Sequence, residues 1–199
     1  MEPNSDNAVH TIFKVSEDAF TPDECANIIK LCKDKLHKMI TMNEDSSGRI
    51  ATGTWLYYQD NIPEIKKLCE IISIGGGKPI ENQEGVNIVR YLPGGKYSPH
   101  YDFFEPDAEY FNAEMAKGGQ RIQSWILYLN DNFSGGETEF IIEKQYIKPK
   151  TGALVGWNNT LRGGVVNRKS LHTGHTVRVG EKWVAIVWVR ENSTQDNNK

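Results

Sequence analysis

From Val86 to Arg190 the chain is a succession of short runs rich in β-branched and aromatic residues, at 86–91, 121–129, 138–142, 153–157, 164–166, 171–178 and 183–190, parted by turns such as Pro93-Gly94-Gly95. None of these runs keeps a helical period, so this half of the chain must pair its strands with one another, which predicts a double-sheet jelly roll, the double-stranded β-helix. Helical patterning comes earlier. Thr21-Pro22-Asp23-Glu24 has the form of a helix start, with Thr21 as N-cap, Pro22 in the first turn and acids complementing the dipole. Cys25, Ile28, Ile29, Cys32 and Leu36 recur at helical spacing, predicting a helix to about Met39 that packs on the sheet. After a loop from Asn43 to Gly48 the pattern predicts a short strand near Thr54 to Tyr57 and a second helix from Pro63 to about Ser73. The run Gly75-Gly76-Gly77 follows that helix and lacks the Lys-Ser/Thr ending of a phosphate loop, so it reads as a helix exit. Helices first and strands after predict an α+β chain: a jelly-roll core with supporting N-terminal helices.

A chain of 199 residues can bury one substantial core, so a single domain spanning 1–199 is expected, with its core at about 20–190 and polar tails, 1–10 and 192–199, expected to be mobile. The formal charge of −3 and pI near 6.0 provide no basic field for a phosphate backbone, which argues against nucleic acid as the main partner. The first twenty residues lack the apolar core of a secretory signal and no stretch approaches the length of a membrane span, so no membrane partner and a cytoplasmic location are expected. Cys25, Cys32 and Cys69 fall in the helical part without metal-binding spacing and read as reduced, buried apolar residues. The long stretch Glu105 to Gly119 suits either a lid over a substrate groove or an ordinary surface loop.

The chemistry concentrates at His100-Tyr101-Asp102. The triplet opens an apolar stretch with Phe103 and Phe104 after a strand and a turn. Alternation along a strand puts residues i and i+2 on one face, so His100 and Asp102 can reach the same cation and a distant histidine can complete the set. Two imidazoles and a carboxylate on one face of an octahedron leave three positions open, the arrangement of non-haem Fe(II) oxygenases. His172 and His175 compete for the third position, and in an extended chain only one of them can face the metal. Lys182 could neutralise the far carboxylate of an organic acid chelated to that metal. His10 and His37 lie in a tail and a predicted helix without partner residues.

From about Phe20 to Arg190 the chain resembles the prolyl 4-hydroxylase branch of the Fe(II)/2-oxoglutarate dioxygenases. The blocks that carry the resemblance are Arg90-Tyr91-x-x-Gly94-Gly95-x-Tyr97-x-Pro99-His100-Tyr101-Asp102-Phe103-Phe104, Gly119-Gln120-Arg121, Tyr128-Leu129-Asn130-Asp131, Gly135-Gly136-Glu137-Thr138-x-Phe140, and Leu171-His172-x-Gly174-x-x-Val177-x-x-Gly180-x-Lys182-Trp183. They stand in the family's order and spacing. The resemblance implies His100, Asp102 and His172 as iron ligands and Lys182 as partner of the 2-oxoglutarate C5 carboxylate, with Tyr91 and Thr138 bonding that same carboxylate. It also implies Tyr97, Arg121, Trp188 and Arg190 near the substrate. Three positions depart from the family pattern: Thr176 stands in place of proline, Ser124 in place of threonine, and Arg190 in place of histidine. The first two are expected not to touch the chemistry. Arg190 bears on peptide specificity, because a fixed guanidinium favours different partners from an imidazole.

The activity implied is Fe(II)- and 2-oxoglutarate-dependent hydroxylation of a prolyl residue in a peptide or protein, consuming O2, forming succinate and CO2, and supported by ascorbate. Asp102 favours hydroxylation, since related halogenating sites lack the carboxylate. An extended polyproline-II segment in a groove lined by Tyr97, Trp188 and Tyr101 is the expected substrate. Two other readings are open to the sequence: a 2-oxoglutarate oxygenase for another side chain, a free amino acid or nucleic acid, and an inactive binding module. The nucleic-acid group typically has arginine where Lys182 stands, and the complete ligand set argues against a vestigial site.

Overall fold

A computed structural model of the protein describes residues 12–39 and 48–194. The expected loop from Asn43 to Gly48 and the two tails lie wholly or largely outside the described residues. In chain order the first elements are β1 (Phe13–Ser16), α1 (Pro22–Cys32), β2 (His37–Lys38), β3 (Arg49–Ile50), β4 (Thr52–Leu56), α2 (Pro63–Gly76), β5 (Val86–Tyr91), β6 (Lys96–His100) and α3 (Phe111–Ala116). There follow β7 (Arg121–Tyr128), β8 (Ser134–Gly135), β9 (Thr138–Phe140), β10 (Gln145–Ile147), β11 (Leu154–Asn158), β12 (His172–Gly174), β13 (Val177–Val179) and β14 (Lys182–Arg190).

The strands form a seven-stranded sheet in the order β1-β11-β7-β14-β5-β4-β2 and a five-stranded sheet in the order β10-β9-β12-β6-β3, with β8 and β13 paired apart. All pairings are antiparallel, as a jelly roll requires. Strand β14 is buried along its whole length because both of its faces are covered. Trp183, Ala185, Val187 and Val189 pack with Ile28, Leu68 and Ile72 of the two helices, while Val184, Ile186 and Trp188 face the second core between the sheets with Tyr128, Phe140 and Trp157. The period of two thus sends one face to the scaffold and the other to the site.

Helix α1 starts as expected: the Thr21 hydroxyl accepts from the Glu24 N–H and the Glu24 carboxylate accepts from the Thr21 N–H, a reciprocal cap. It ends at Cys32, earlier than the expected Met39. The chain turns at Lys35, and His37–Lys38 pairs with β4 instead, yet Leu36 still packs on the same core, which is why the apolar pattern runs past the helix end. Helix α2 runs past the expected Ser73, taking in Gly75 and Gly76 and stopping at Gly77 in the left-handed conformation (φ 66°). The two glycines let the helix sit close to the sheet: a Cβ on Gly75 would meet the Trp125 ring at 3.2 Å and one on Gly76 the Gln123 amide at 2.4 Å.

Three further expectations are corrected. The run 164–166 is not a strand: Gly163 and Gly164 take positive φ in a turn that leaves Val165 exposed, and only a single bridge joins Thr160 to Val166. Residues 105–119 contain a helix, and Asn192 to Thr194 are docked, with the Thr194 N–H on the Glu81 carbonyl and the Asn192 N–H on the Gly118 carbonyl. Cys25, Cys32 and Cys69 are free and buried, and burial pushes the Cys25 and Cys69 thiols up to about 11 and about 12. No helix among the described residues is long and apolar enough to cross a membrane.

Candidate active site

His100 and His172 stand directly opposite each other on the neighbouring strands β6 and β12. Strand β6 ends at His100, so Asp102 belongs to the bend that follows and not to the strand, as the triplet had suggested. Its carboxylate still reaches the pair: Oδ1 lies 3.5 Å from His100 Nε2 and Oδ2 lies 3.6 Å from His172 Nε2. One ligand atom from each residue lies within 4.8 Å of the others, a donor set of two imidazoles and one carboxylate.

The surroundings prepare these atoms for a cation. His100 Nδ1 is 2.8 Å from the Ser98 carbonyl and His172 Nδ1 is 2.9 Å from the Ser170 carbonyl. A carbonyl can only accept, so both rings carry their proton on Nδ1 and present an Nε2 lone pair. Burial, reinforced by the His100 ring, lowers the His172 imidazole to about 4, so it is neutral at ordinary pH. Burial alone would raise the Asp102 carboxyl, but His172, His100 and the Ser124 hydroxyl outweigh it and hold Asp102 well below the usual carboxylate range. An ionised carboxylate and two imidazoles that turn Nε2 toward it fit a divalent cation.

Ser124 Oγ donates to Asp102 Oδ2 at 2.6 Å and accepts from Asn159 Nδ2 at 2.8 Å. The expectation that this position does not touch the chemistry is therefore corrected: it orients a proposed ligand, and a threonine hydroxyl would serve equally, which explains the exchange. Thr176 does conform; its side of the chain is exposed and its carbonyl accepts from the Gly136 N–H.

Lys182 heads β14, opposite Tyr91 on β5, and points between the sheets. It is 5 % exposed, and its Nζ donates to the Gly136 carbonyl at 2.7 Å. Gly136 takes φ 69°, and a Cβ there would meet Lys182 Cδ at 3.2 Å, so the double glycine lets a carbonyl approach the lysine stem. An ammonium has three donors, and no carboxylate pairs with this one among the described residues. Burial lowers Lys182 to about 8. The Tyr91 and Tyr128 rings lie 5.5 and 5.6 Å from Nζ, and the Tyr128 and Thr138 hydroxyls bond each other at 2.9 Å. A carboxylate fits here.

Tyr91, Thr138, His172 and Lys182 share a narrow inner cavity. An outer cavity of about 370 Å³ is lined by Arg49, Trp55, Asn87, Tyr97, Tyr101 and Arg121, among others. Tyr97, His100, Asp102 and Trp188 belong to both. Tyr97 stacks on His100 with 3.5 Å between ring centres, and Arg121 lies 4.1 Å above the centre of the Trp188 ring. Of the residues expected near the substrate, Tyr97, Arg121 and Trp188 are brought together and Arg190 is not. The pairing slips between Val189 and Arg190, which face Gln123 and Arg121, and the Arg190 guanidinium is buried between Glu84 and Glu114, off the cavity wall. His175 bonds Glu139 at 2.8 Å on the surface side, as alternation from His172 requires.

Two cavity residues carried no sequence signal. Arg49 is 4 % exposed with Nε and Nη2 unpartnered, and Asn87 is 1 % exposed with both amide atoms unpartnered. Arg49 lies in a strand of two residues and Asn87 in one where Arg90 is also polar and no strict alternation holds, so neither periodicity nor motif spacing isolates them. Trp188 Nε1 is also buried without a partner.

The family model of the 2OG-Fe(II) oxygenase superfamily matches residues 86–190, the part that holds the site. A putative prolyl 4-hydroxylase of Acanthamoeba polyphaga mimivirus is 34% identical over 179 residues, covering 89% of this chain and 73% of that protein. Prolyl 4-hydroxylase 1 of Arabidopsis thaliana is 30% identical over 202 residues, covering 90% of this chain and 69% of its own length. The crystal structure of a viral collagen prolyl hydroxylase from Paramecium Bursaria Chlorella virus-1 superimposes with a TM-score of 0.74 at 26% identity, covering 90% of this chain and 96% of that one. With these blocks aligned and the donor set assembled, the chain belongs to the 2OG-Fe(II) oxygenase superfamily and, within it, to the prolyl 4-hydroxylase family.

Proposed function

We propose that this protein hydroxylates prolyl residues of an extended peptide or protein segment, with His100, Asp102 and His172 holding Fe(II) and Lys182, Thr138 and Tyr91 holding the far carboxylate of 2-oxoglutarate. Bound iron and cosubstrate supply the oxidation: O2 delivers one oxygen atom to succinate, formed with loss of CO2, and the other to a C–H bond of the substrate. The observation that carries the reading is the junction of the two cavities. The metal ligands lie where the inner cavity, closed by Lys182, meets the outer one, so a cosubstrate from one side and a substrate from the other converge on them.

The chain's own residues account for the rest. Nδ1 bonding to Ser98 and Ser170 holds both imidazoles in register, and Ser124 holds Asp102. Burial around Lys182 keeps water from competing for the carboxylate. The outer cavity supports a proline-rich segment on chemical grounds: its lining includes the rings of Trp55, Tyr97 and Trp188, and Trp188 Nε1, Asn87 Nδ2 and Arg49 Nε and Nη2 are donors without a partner. A proline-rich polyproline-II segment has exposed carbonyls and few N–H groups, so a wall of donors suits it.

The test is incubation with Fe(II), 2-oxoglutarate, O2, ascorbate and a panel of proline-containing peptides, reading succinate and peptide mass together. The expected result is succinate in step with a mass gain of one oxygen atom per site, both abolished in His172→Ala. Succinate that never couples to any peptide would reject the prolyl reading and leave the oxygenase assignment standing.

A further inference from the structure

Residues 103–119 leave the metal site directly after Asp102 and return into β7. Phe103, Phe104 and Tyr110 of this stretch line the outer cavity. Arg168 ties the stretch down at Glu105, Gln120 at Phe104 and Asn192 at Gly118, and Arg190 ties down its helical end. Its Nε donates to Glu84 Oε1 at 2.5 Å, its Nη2 to Glu114 Oε2 at 2.9 Å, and its Nη1 to the carbonyls of Glu114 and Gly119 at 3.1 and 2.8 Å. One guanidinium at the end of β14 therefore grips both α3 and the turn that follows it. An imidazole, with two nitrogens, could not make these bonds together.

Phe104 is locked into the same cluster. Its ring centre lies 4.9 Å from the Arg121 guanidinium and 4.3 Å from that of Arg190, and Gln120 bonds both its N–H, at 2.6 Å, and its carbonyl, at 2.8 Å. Glu84 takes Arg121 as well, through two bonds of 2.7 Å. Two guanidinium groups are thus matched by the carboxylates of Glu84 and Glu114, all with side chains at most 15 % exposed. Burial alone would raise the Glu114 carboxyl, but the bonds from Lys117 and Arg190 outweigh it and hold it ionised.

We propose that Arg190 is a positioning residue that fixes residues 103–119 as a preformed aromatic wall of the substrate cavity, so that the peptide is selected by fit to a standing cleft and not by closure of a lid. The proposal rests on the peptide reading above for the identity of the ligand. A wall ordered in advance costs nothing to order on binding, so loosening it should weaken peptide binding before it slows the chemistry.

Arg190→Ala would strand two buried carboxylates and could unfold the protein, so the informative variants are Glu114→Ala, which favours a helix and leaves Arg190 with Glu84 and two carbonyls, and Arg190→Lys, which keeps the charge and loses the fork. Lys117→Ala is the control, since Lys117 binds the same carboxylate from an exposed position. In Glu114→Ala the KM for a proline peptide should rise about ten- to a hundredfold, with kcat within about twofold and KM for 2-oxoglutarate unchanged. Amide exchange should quicken across 111–119. Arg190→Lys, which loses the bonds to both carbonyls as well, should shift KM and exchange at least as far as Glu114→Ala, and Lys117→Ala should match the parent. Faster exchange with an unchanged peptide KM would overturn the specificity role, and unchanged exchange would overturn the clamp itself. If the parent protein turned over no proline peptide, the functional reading would fail separately, while exchange, measured without substrate, would still decide the clamp.

Discussion

Strand β14 begins and ends on a buried cation, Lys182 at 5 % exposure and Arg190 at 4 %, and the two are satisfied in opposite ways. Arg190 bonds two carboxylates and two carbonyls. Lys182 bonds one carbonyl and meets no carboxylate among the described residues. Burying a charge without an anion is costly, and a fold that retains such a charge has reserved it for an anion from outside. Where the anions are built in, the cation is scaffold. The same strand thus carries a proposed ligand anchor at one end and a structural tie at the other.

The largest expected effect tests the anchor. Removing one partner of a buried ion pair costs about 3–5 kcal/mol, so Lys182→Ala should weaken 2-oxoglutarate by about two to three and a half orders of magnitude in KM or in a direct binding assay. An unchanged affinity would dissolve the contrast between the two ends. The tie is tested by Arg190→Met, which leaves Glu84 and Glu114 buried with less compensation and should lower unfolding free energy by about 3–5 kcal/mol in a denaturant titration.

Lys182→Met should do the reverse, raising stability by about 1–3 kcal/mol, some 2–12 °C in Tm, while weakening cosubstrate binding as Lys182→Ala does. A stabilising change at one end and a destabilising one at the other, from the same chemical replacement, is what the comparison requires. The sign follows from linkage. Burial sets Lys182 at about 8 in the folded protein, whereas in the unfolded chain it titrates at about 10.4, so between these values the unfolded chain binds more protons and stability contributed by this group rises with pH. Below about 8 the charge is present in both states and its full cost remains.

The smallest effect sharpens the same point. A dianionic ligand needs the protonated lysine, so KM for 2-oxoglutarate should be independent of this group below about pH 8 and rise about tenfold per unit above it. A flat profile to pH 9.5 would mean that another group carries the carboxylate.

The difference between the two ends was only half legible in the sequence. Lys182 stood at a motif position and its reading rested on the resemblance. Arg190 stands at a departure from the motif, and its expected place beside the substrate also rests on the resemblance. A slip in the β7–β14 pairing and two glutamates from distant segments decide otherwise. Ser124 was misjudged for a related reason: its bond to Asp102 joins residues on β7 and after β6, and no local pattern encodes it. Helix α1 was read too long because Leu36 satisfies the helical period from a turn.

By itself the sequence determined the class of fold and the chemistry on offer, since strand period, turn residues and the His100-x-Asp102 triplet are properties of short segments, and the motif blocks around His172 and Lys182 carry the resemblance. Tertiary structure alone decided which atoms are left without partners. Arg49 Nε and Nη2, the Asn87 amide and Trp188 Nε1 differ from the guanidinium groups of Arg121 and Arg190 only in what other strands and helices bring to them. Satisfaction of a buried polar group is a long-range property, because its partner comes from a segment whose position is set by the packing of the whole domain.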